Sequence, residues 1–327
     1  METLYDSLGR SIRYLRISVT DRCNLRCTYC LPASGVRWKP LGELLRFEEI
    51  REVVRAAISF GITRVRLTGG EPLVRDGIVE LVRMLSSVEG LEDLALTTNG
   101  VLLAPQARAL AAAGLRRINI SLDTLRPDRF HAITRFGTLD DAWNGIEAVL
   151  AAGLSPVKLN VVVMRGVNDD EIMDLGRLAI ERALHVRFIE LMPIGEYFTK
   201  ERLVPSEEIL ERLAVFGPLR PTQARAGCGP ARSYTWERAA GTIGIIGAVT
   251  QAFCASCNRL RLTATGQLRP CLDDEATVDL KPALRPTVDK DALARLIKRA
   301  VLDKPAQHHM AQREAGTPRM CMAGVGG

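Results

Sequence analysis

The chain has 327 residues, of which 47% are hydrophobic and 25% are charged, so it is long enough to bury a substantial core without disulfide bonds. Its formal net charge of +6 suits either a mildly basic surface or a site for an anionic ligand. The N-terminal segment METLYDSLGRSIRYLR has no signal-peptide pattern, and no run of about 18 apolar residues occurs. We therefore expect a cytoplasmic protein without a membrane partner, and the clustered cysteines argue against a secreted disulfide framework.

Strand and helix patterns alternate through the first 190 residues. The predicted strands are RYLRISVT ending near Thr20, RVRLTGG near Gly70, DLALTTNG near Asn99, RRINISLD near Asp123, VKLNVVVM near Met164 and VRFIELMP near Pro193. Helical periods lie between them, as at Phe47, Ile50 and Val54. This alternation implies a parallel sheet, either doubly wound or an incomplete (β/α)8 barrel. In both folds the functional groups gather at the carboxyl ends of the strands.

The pattern changes after about residue 195. A predicted helix around Glu207–Leu213 precedes SYTWERAAGTIGIIGAVT, which indicates antiparallel strands joined by Gly-rich turns. A further helical segment is predicted around Asp289–Leu302. We predict two regions, residues 1–194 and 195–327, with the second packed on the first because no low-complexity linker separates them.

Six of the eight cysteines form two triads, Cys23, Cys27 and Cys30 and then Cys254, Cys257 and Cys271. Thiolates select zinc, copper(I) or iron–sulfur clusters. A structural zinc site takes four ligands, whereas three thiolates on a 4Fe–4S cluster leave one iron open to another ligand. The first triad has the spacing C-x3-C-x2-C and directly follows the first predicted strand. This favours an open cluster, with a zinc knuckle as the alternative.

The loop CNLRCTYC, residues 23–30, resembles the signature of radical S-adenosylmethionine (SAM) enzymes. The resemblance implies an incomplete (β/α)6 barrel with the C-terminal extension packing against its opening. It implies a 4Fe–4S cluster on the first triad, with the open iron chelated by SAM, which is cleaved reductively to a 5′-deoxyadenosyl radical. The SAM contacts that it implies are Tyr29, Gly70 within GGEP, Thr97, Ser121 and Met192.

The second triad has the spacing C-x2-C-x13-C, which by itself fits a second cluster or a zinc ribbon with Cys228 or Cys321 as a distant fourth ligand. The embedded sequence CNRLRLTATGQLRPC resembles the C-terminal motif of the GTP 3′,8-cyclase family of molybdenum cofactor biosynthesis. The opening DSLGRSIRYLRISVTDRCNLRCTYC and the final Gly326-Gly327 resemble the same family. Cys321 belongs to no motif, and Leu31 stands where the family often has methionine.

This second resemblance implies a second 4Fe–4S cluster, whose open iron binds the guanine of GTP. The implied GTP contacts are Arg16, Arg66, Lys158, Arg259, Leu260 and Arg261. Arginine forks suit phosphate oxygens, and the five cations lie within apolar strand patterns, where an unpaired charge is costly. Arg259 and Arg261 alternate along a predicted strand and would face one side. The Gly326-Gly327 pair implies a tail that reaches into the active site.

The implied reaction removes hydrogen from C3′ of GTP and joins that carbon to C8, which gives (8S)-3′,8-cyclo-7,8-dihydroguanosine 5′-triphosphate. The implied partners are a flavodoxin- or ferredoxin-like electron donor, the downstream cyclic pyranopterin monophosphate synthase and a second copy in a homodimer.

Two other functions stay open on sequence alone. A radical SAM enzyme of peptide maturation usually has more C-terminal cluster cysteines than the three of the second triad. A zinc-dependent nucleic-acid-binding module would need clustered cations with exposed aromatic residues. Aromatic residues make up only 5% of the chain and its basic residues are scattered, so we expect no nucleic-acid partner.

Overall fold

The structure, a computed structural model, describes residues 3–223, 229–313 and 322–325. Its strands are β1 (Tyr14–Ser18), β2 (Arg64–Thr68), β3 (Asp93–Thr98), β4 (Arg117–Ser121), β5 (Val157–Val163), β6 (Leu184–Glu190), β7 (Arg220–Thr222), β8 (Arg232–Thr235), β9 (Thr242–Ile246), β10 (Arg259–Leu262), β11 (Gln267–Arg269) and β12 (Val278–Asp279). Its helices are α1 (Phe47–Ser59), α2 (Ile78–Ser86), α3 (Ala107–Ala112), α4 (Pro127–Thr134), α5 (Leu139–Ala151), α6 (Ile172–Glu181), α7 (Ser206–Leu213), α8 (Lys290–Leu302) and α9 (Met322–Val325).

The described strands form one sheet in the order β12-β11-β10-β1-β2-β3-β4-β5-β6-β9-β8-β7. Strands β1 to β6 are parallel neighbours, and β10 and β9 continue the parallel set beyond β1 and β6 respectively. The outer strands on both sides are antiparallel. No hydrogen bonds between described strands join the two ends of the sheet, so the predicted incomplete barrel is confirmed.

The faces of the sheet follow from the alternation of side chains along each strand. In β5, Leu159 and Val161 pack into the hydrophobic core that the helices cover. Lys158 and Asn160 alternate with them and point to the opposite, inner face of the sheet. Polar residues within an otherwise apolar strand therefore mark the interior of the barrel.

The structure confirms the six predicted strands of the first region, together with helices α7 and α8. The predicted antiparallel pairing of β8 with β9 is also found. The parallel pairing of β9 with β6 and of β10 with β1 was not predicted, because a strand pattern does not identify its partner. The division at residues 194 and 195 stays a prediction.

Four residues singled out in the sequence, Cys228, Cys321, Gly326 and Gly327, lie outside the described residues. Among the helices that are described, none combines the length and the apolar character needed to cross a membrane.

Candidate active site

A cavity of about 250 Å3 lies at the carboxyl ends of the central parallel strands. Twelve residues predicted from the sequence line it, namely Arg16, Cys23, Cys27, Tyr29, Cys30, Arg66, Gly70, Thr97, Ser121, Met192, Arg259 and Arg261. The C-terminal region forms another part of the cavity wall, through Gly229, Pro230, Leu272 and Met322. One cavity therefore joins the cysteine loop after β1 to the basic residues of β1, β2 and β10.

The first cysteine triad is held by the compact loop that follows β1. The amide of Cys30 donates to the carbonyl of Cys27 at 2.9 Å, and the amide of Leu25 donates to Sγ of Cys23 at 3.4 Å. Burial raises the pKa of the Cys23 thiol to about 11. Burial also raises the pKa of Cys27, with further contributions from the neighbouring Cys30 and Cys23. Three neighbouring thiols thus face the cavity, and burial disfavours ionisation of Cys23 and Cys27 unless positive charge is bound beside them.

The GGEP turn after β2 packs directly on the segment that leads into the cysteine loop. The amide of Gly70 donates to the carbonyl of Thr20, and the amide of Glu71 to the carbonyl of Arg22, both at 2.8 Å. A Cβ atom at Gly70 would overlap the main chain of Arg22. Glycine is therefore required here by the close approach of two backbones.

The buried carboxylate of Glu71 then fixes the next strand end. It accepts hydrogen bonds from the hydroxyl of Thr98 and the amide of Asn99, both at 2.7 Å, and from the amide of Leu73 at 3.0 Å. Burial raises the pKa of Glu71 to about 7, although these three donors oppose the shift. Glu71 thus ties the ends of β2 and β3 together beside the first triad.

Tyr29 is anchored by a residue that the sequence marked only as a strand end. The Tyr29 hydroxyl donates to Oδ2 of Asp123 at 2.7 Å, and the amide of Val162 donates to Oδ1 at 2.8 Å. Burial raises the pKa of Asp123 to about 6 against these two donors. The contact joins the cysteine loop to the ends of β4 and β5.

Three arginines lie side by side across the inner face of the sheet. Arg16 on β1 lies opposite Arg66 on β2 and opposite Arg261 on β10. Burial lowers the pKa of Arg16, and the charges of Arg261 and Arg66 lower it further. Burial lowers the pKa of Arg261 to about 10, assisted by Arg259. Because their charges repel one another in a buried setting, this group favours a polyanionic ligand.

Lys158 and Arg187 extend the basic interior across β5 and β6. Burial lowers the pKa of Lys158 to about 6, and Arg187 lowers it further. Lys158 does not line the cavity but lies on the same strand face as Asn160, which does. Arg187 lines the cavity, and burial lowers its pKa to about 9. Sequence reasoning missed Arg187, although a cation within the apolar strand VRFIELMP was the available signal.

The second triad lies beside the basic end of the cavity. Its cysteines are free and half-buried, and the pKa of Cys254 is raised by burial and by the charges of Cys271 and Cys257. Burial also acts to raise the pKa of Cys257, but Arg259 and Lys304 outweigh it and lower that pKa to about 7. Leu260 points the other way, into the hydrophobic core.

Both triads fit the donor set of a 4Fe–4S cluster with one open iron. Within the described ranges, no three His, Cys, Asp or Glu side chains surround a single metal ion. A cluster of four irons is larger than one ion, so its ligands need not converge on one point. Three free thiols per triad are the thiolate number that leaves one iron for another ligand.

Comparison with known proteins decides between the enzyme classes. The family model described as "Radical SAM superfamily" matches residues 17–179, and the one described as "Molybdenum Cofactor Synthesis C" matches residues 184–310. The chain is 53% identical to the GTP 3′,8-cyclase of Pelotomaculum thermopropionicum, with 99% of this chain and 100% of the relative covered. It is 53% identical to that of Heliobacterium modesticaldum, with the same coverage. The chain belongs to the GTP 3′,8-cyclase family.

Solved structures support the radical SAM fold of this family member. Streptococcus suis SuiB matches with a TM-score of 0.63 and 15% identity, covering 94% of this chain and 69% of that one. The protein anSMEcpe with bound AdoMet matches with a TM-score of 0.57 and 14% identity, covering 91% of this chain and 82% of that one. At such identities the likeness concerns the fold alone.

Membership of this family brings two 4Fe–4S clusters and SAM as cofactors, as the sequence predicted. The structure places eleven of the predicted SAM, GTP and first-cluster side chains, and the backbone of Gly70, around one cavity. Lys158 and Leu260 lie outside its lining, and the second triad lies beside it. The role of each residue stays a prediction.

Proposed function

We propose that this chain is a radical SAM cyclase that converts GTP to (8S)-3′,8-cyclo-7,8-dihydroguanosine 5′-triphosphate, the first step of molybdenum cofactor biosynthesis. The observation that supports it most strongly is the single cavity shared by a cysteine loop and a row of buried arginines. When bound, the first cluster and SAM supply a radical able to take hydrogen from C3′ of GTP. All other requirements concern binding, orientation and the exclusion of water.

The residues proposed for SAM surround the first triad. Cys23, Cys27 and Cys30 hold the first cluster. The SAM contacts are Tyr29, Gly70, Thr97, Ser121 and Met192, all of which line the cavity. They belong to the ends of several different strands, so the fold, and not a local motif, sets their mutual positions.

The residues proposed for GTP lie on the basic side of the same cavity. Arg16, Arg66, Arg259 and Arg261 bind the triphosphate through guanidinium forks. Lys158 adds a positive charge once an anion favours its protonated form. A contact from Leu260 would come from its main chain, because its side chain is in the core. Cys254, Cys257 and Cys271 would hold the second cluster, which would supply an open iron for the guanine.

Orientation then determines which bond forms. The arginines would hold the triphosphate and the group on the second triad would hold the guanine, so the ribose between them would lie in the cavity that the first triad also lines. The C3′ carbon is thereby held close to C8 of the same nucleotide, and an oriented intramolecular reaction gains a large effective concentration. Residues from both ends of the chain close the cavity wall and exclude water from the reacting carbons.

Further proposals concern the electron donor, the downstream enzyme, the oligomeric state and the two regions of the chain. An external flavodoxin- or ferredoxin-like donor supplies two electrons per turnover, one for the cleavage of SAM and one that, with a proton, reduces the cyclised nucleotide radical. Cyclic pyranopterin monophosphate synthase consumes the product. The enzyme works as a homodimer in the cytoplasm. Residues 1–194 form the SAM-binding region and residues 195–327 the second-cluster region.

Anaerobic reconstitution with iron and sulfide tests the proposal. We expect about eight irons per chain, because two 4Fe–4S clusters form. Titration with GTP should change the EPR spectrum of the reduced second cluster. About four irons, or a spectrum unaffected by GTP, would instead indicate a single-cluster enzyme with zinc in the second triad and another substrate.

A further inference from the structure

Lys304 lies immediately beyond helix α8 and has only 4% of its surface exposed. Its ammonium donates to the carbonyl of Arg259 at 2.9 Å and to the carbonyl of Pro270 at 2.6 Å. Arg259 is two residues after Cys257, and Pro270 directly precedes Cys271. One buried side chain therefore joins the two backbone segments that carry the second and third cysteines of the second triad.

Two cysteines of the triad also act on the ammonium. The charges of Cys257 and Cys271 act to raise the pKa of Lys304, while burial lowers it. Two of its three N–H groups donate to the carbonyls of Arg259 and Pro270. Lys304 thus places a positive charge near Cys257 and Cys271 while it joins their backbone segments.

Other residues of the same chain hold the first cysteine of the triad, Cys254, through similar hydrogen bonds. Arg10 donates to the carbonyl of Cys254 at 2.9 Å and to the carbonyl of Pro305 at 2.7 Å. The amide of His308 donates to Sγ of Cys254 at 3.4 Å. Residues 304–308, with Arg10 bridging to them, therefore wrap all three cysteine segments.

A buried ammonium is costly unless anionic groups surround it. Three thiolates and a reduced cluster supply such negative charge, and a nearby cation favours the more negative, reduced state. The charges beside the first triad are mixed, since the carboxyl of Glu71 and the guanidinium of Arg26 both act on Cys23, and the carboxyl of Asp123 acts on Cys27. The charges that act on Cys257 of the second triad are instead the cations Arg259 and Lys304.

We propose that Lys304 is a positioning residue of the second cluster, which holds the segments of Cys257 and Cys271 together and raises the reduction potential of that cluster. This rests on the proposed function, because it requires a cluster on the second triad.

The test is an EPR-monitored redox titration of the reconstituted enzyme and of Lys304→Gln. Glutamine retains donors for the carbonyls but removes the charge. We expect the second-cluster midpoint to shift to a more negative potential, while the first-cluster midpoint stays where it was. Lys290→Gln, at the exposed start of helix α8, is the matched control and should leave both midpoints unchanged. An unchanged second midpoint, or an equal shift of both, would overturn the proposal.

A second variant covers the case in which Lys304→Gln fails to assemble the second cluster. Lys304→Arg keeps the charge and the donors, so it should restore iron to the second triad. Loss of that iron in Lys304→Arg as well would overturn the assignment. Wild-type enzyme that never takes up a second cluster would instead refute the proposed function, which keeps the two failures distinct.

Discussion

At the scale of single residues, the concentration of positive charge inside the barrel is the main physical problem. Arg66, Lys158, Arg187 and Arg261 are buried and Arg16 is half-buried. Charges within this group lower the pKa values of Arg16, Lys158 and Arg187. A bound anion offsets this repulsion, so we expect ligand binding and protonation to be linked.

Lys158 provides the clearest case of this linkage. Burial and neighbouring cations lower its pKa to about 6, so it is largely neutral at pH 7.5 in the free protein. A bound triphosphate raises that pKa, because an anion favours the charged form. Binding should therefore take up a proton, and GTP affinity should fall as pH rises above about 6 toward the pKa in the complex.

Calorimetry in two buffers of different ionisation enthalpy measures that uptake. Lys158→Met should lose that proton uptake and bind GTP about 10-fold more weakly, which corresponds to about 1.4 kcal/mol of attraction between the ammonium and the triphosphate. Protons exchanged by the nucleotide itself are common to both proteins. Equal proton uptake in wild type and variant would contradict the role of Lys158.

Replacement of Tyr29 tests whether the protein is stabilised by the hydrogen bond that joins the cysteine loop to Asp123. Replacing Tyr29 with phenylalanine removes a donor from the buried carboxylate of Asp123. We expect destabilisation of about 1–2 kcal/mol, seen as a lower melting midpoint. Tyr5→Phe, at a tyrosine that is 53% exposed, should leave the midpoint unchanged. Equal midpoints for the two variants would show that the anchor is unimportant.

At the scale of elements, the site depends on turns that hold neighbouring strand ends together. The GGEP turn after β2 bonds to the segment leading into the cysteine loop, and Glu71 within it binds the end of β3. Because the backbones approach so closely, a small change in one turn should move the loop that carries the first triad.

Gly70→Ala tests this coupling. The added Cβ would overlap the main chain of Arg22, next to Cys23, and displace the cysteine loop. We expect loss of iron from the first triad and of SAM binding, while the second cluster remains. Gly42→Ala is the matched control, since a Cβ there meets no atom within 4 Å. Full iron content and SAM affinity in Gly70→Ala would refute the coupling.

Many of these elements, and part of the candidate site, could be predicted from the sequence. The strands that carry Arg16, Arg66 and Lys158 were predictable, since their apolar patterns end in turn residues. The cysteine spacing identified both triads. Asp123 was missed because its importance arises only when neighbouring strands bring it to the cavity, whereas Arg187, also missed, was marked in the sequence as a cation within an apolar strand. Lys304 was missed because its contacts join segments more than 30 residues apart.

At the scale of the whole molecule, the two ends of the chain build one site. Strand β10 of the C-terminal region pairs with β1 and brings Arg259 and Arg261 beside Arg16. The second triad lies next to that strand and the first triad follows β1. Two clusters can therefore act on one nucleotide only if both regions fold together.

The most direct measurement is the fate of the C3′ hydrogen of GTP. The reconstituted enzyme would be incubated anaerobically with reductant, SAM and GTP deuterated at C3′, and the 5′-deoxyadenosine analysed by mass spectrometry. The account predicts that 5′-deoxyadenosine forms in a GTP-dependent manner and carries the deuterium, together with a cyclised nucleotide of the composition of GTP. Cleavage of SAM that is indifferent to GTP, or 5′-deoxyadenosine without deuterium, would contradict it.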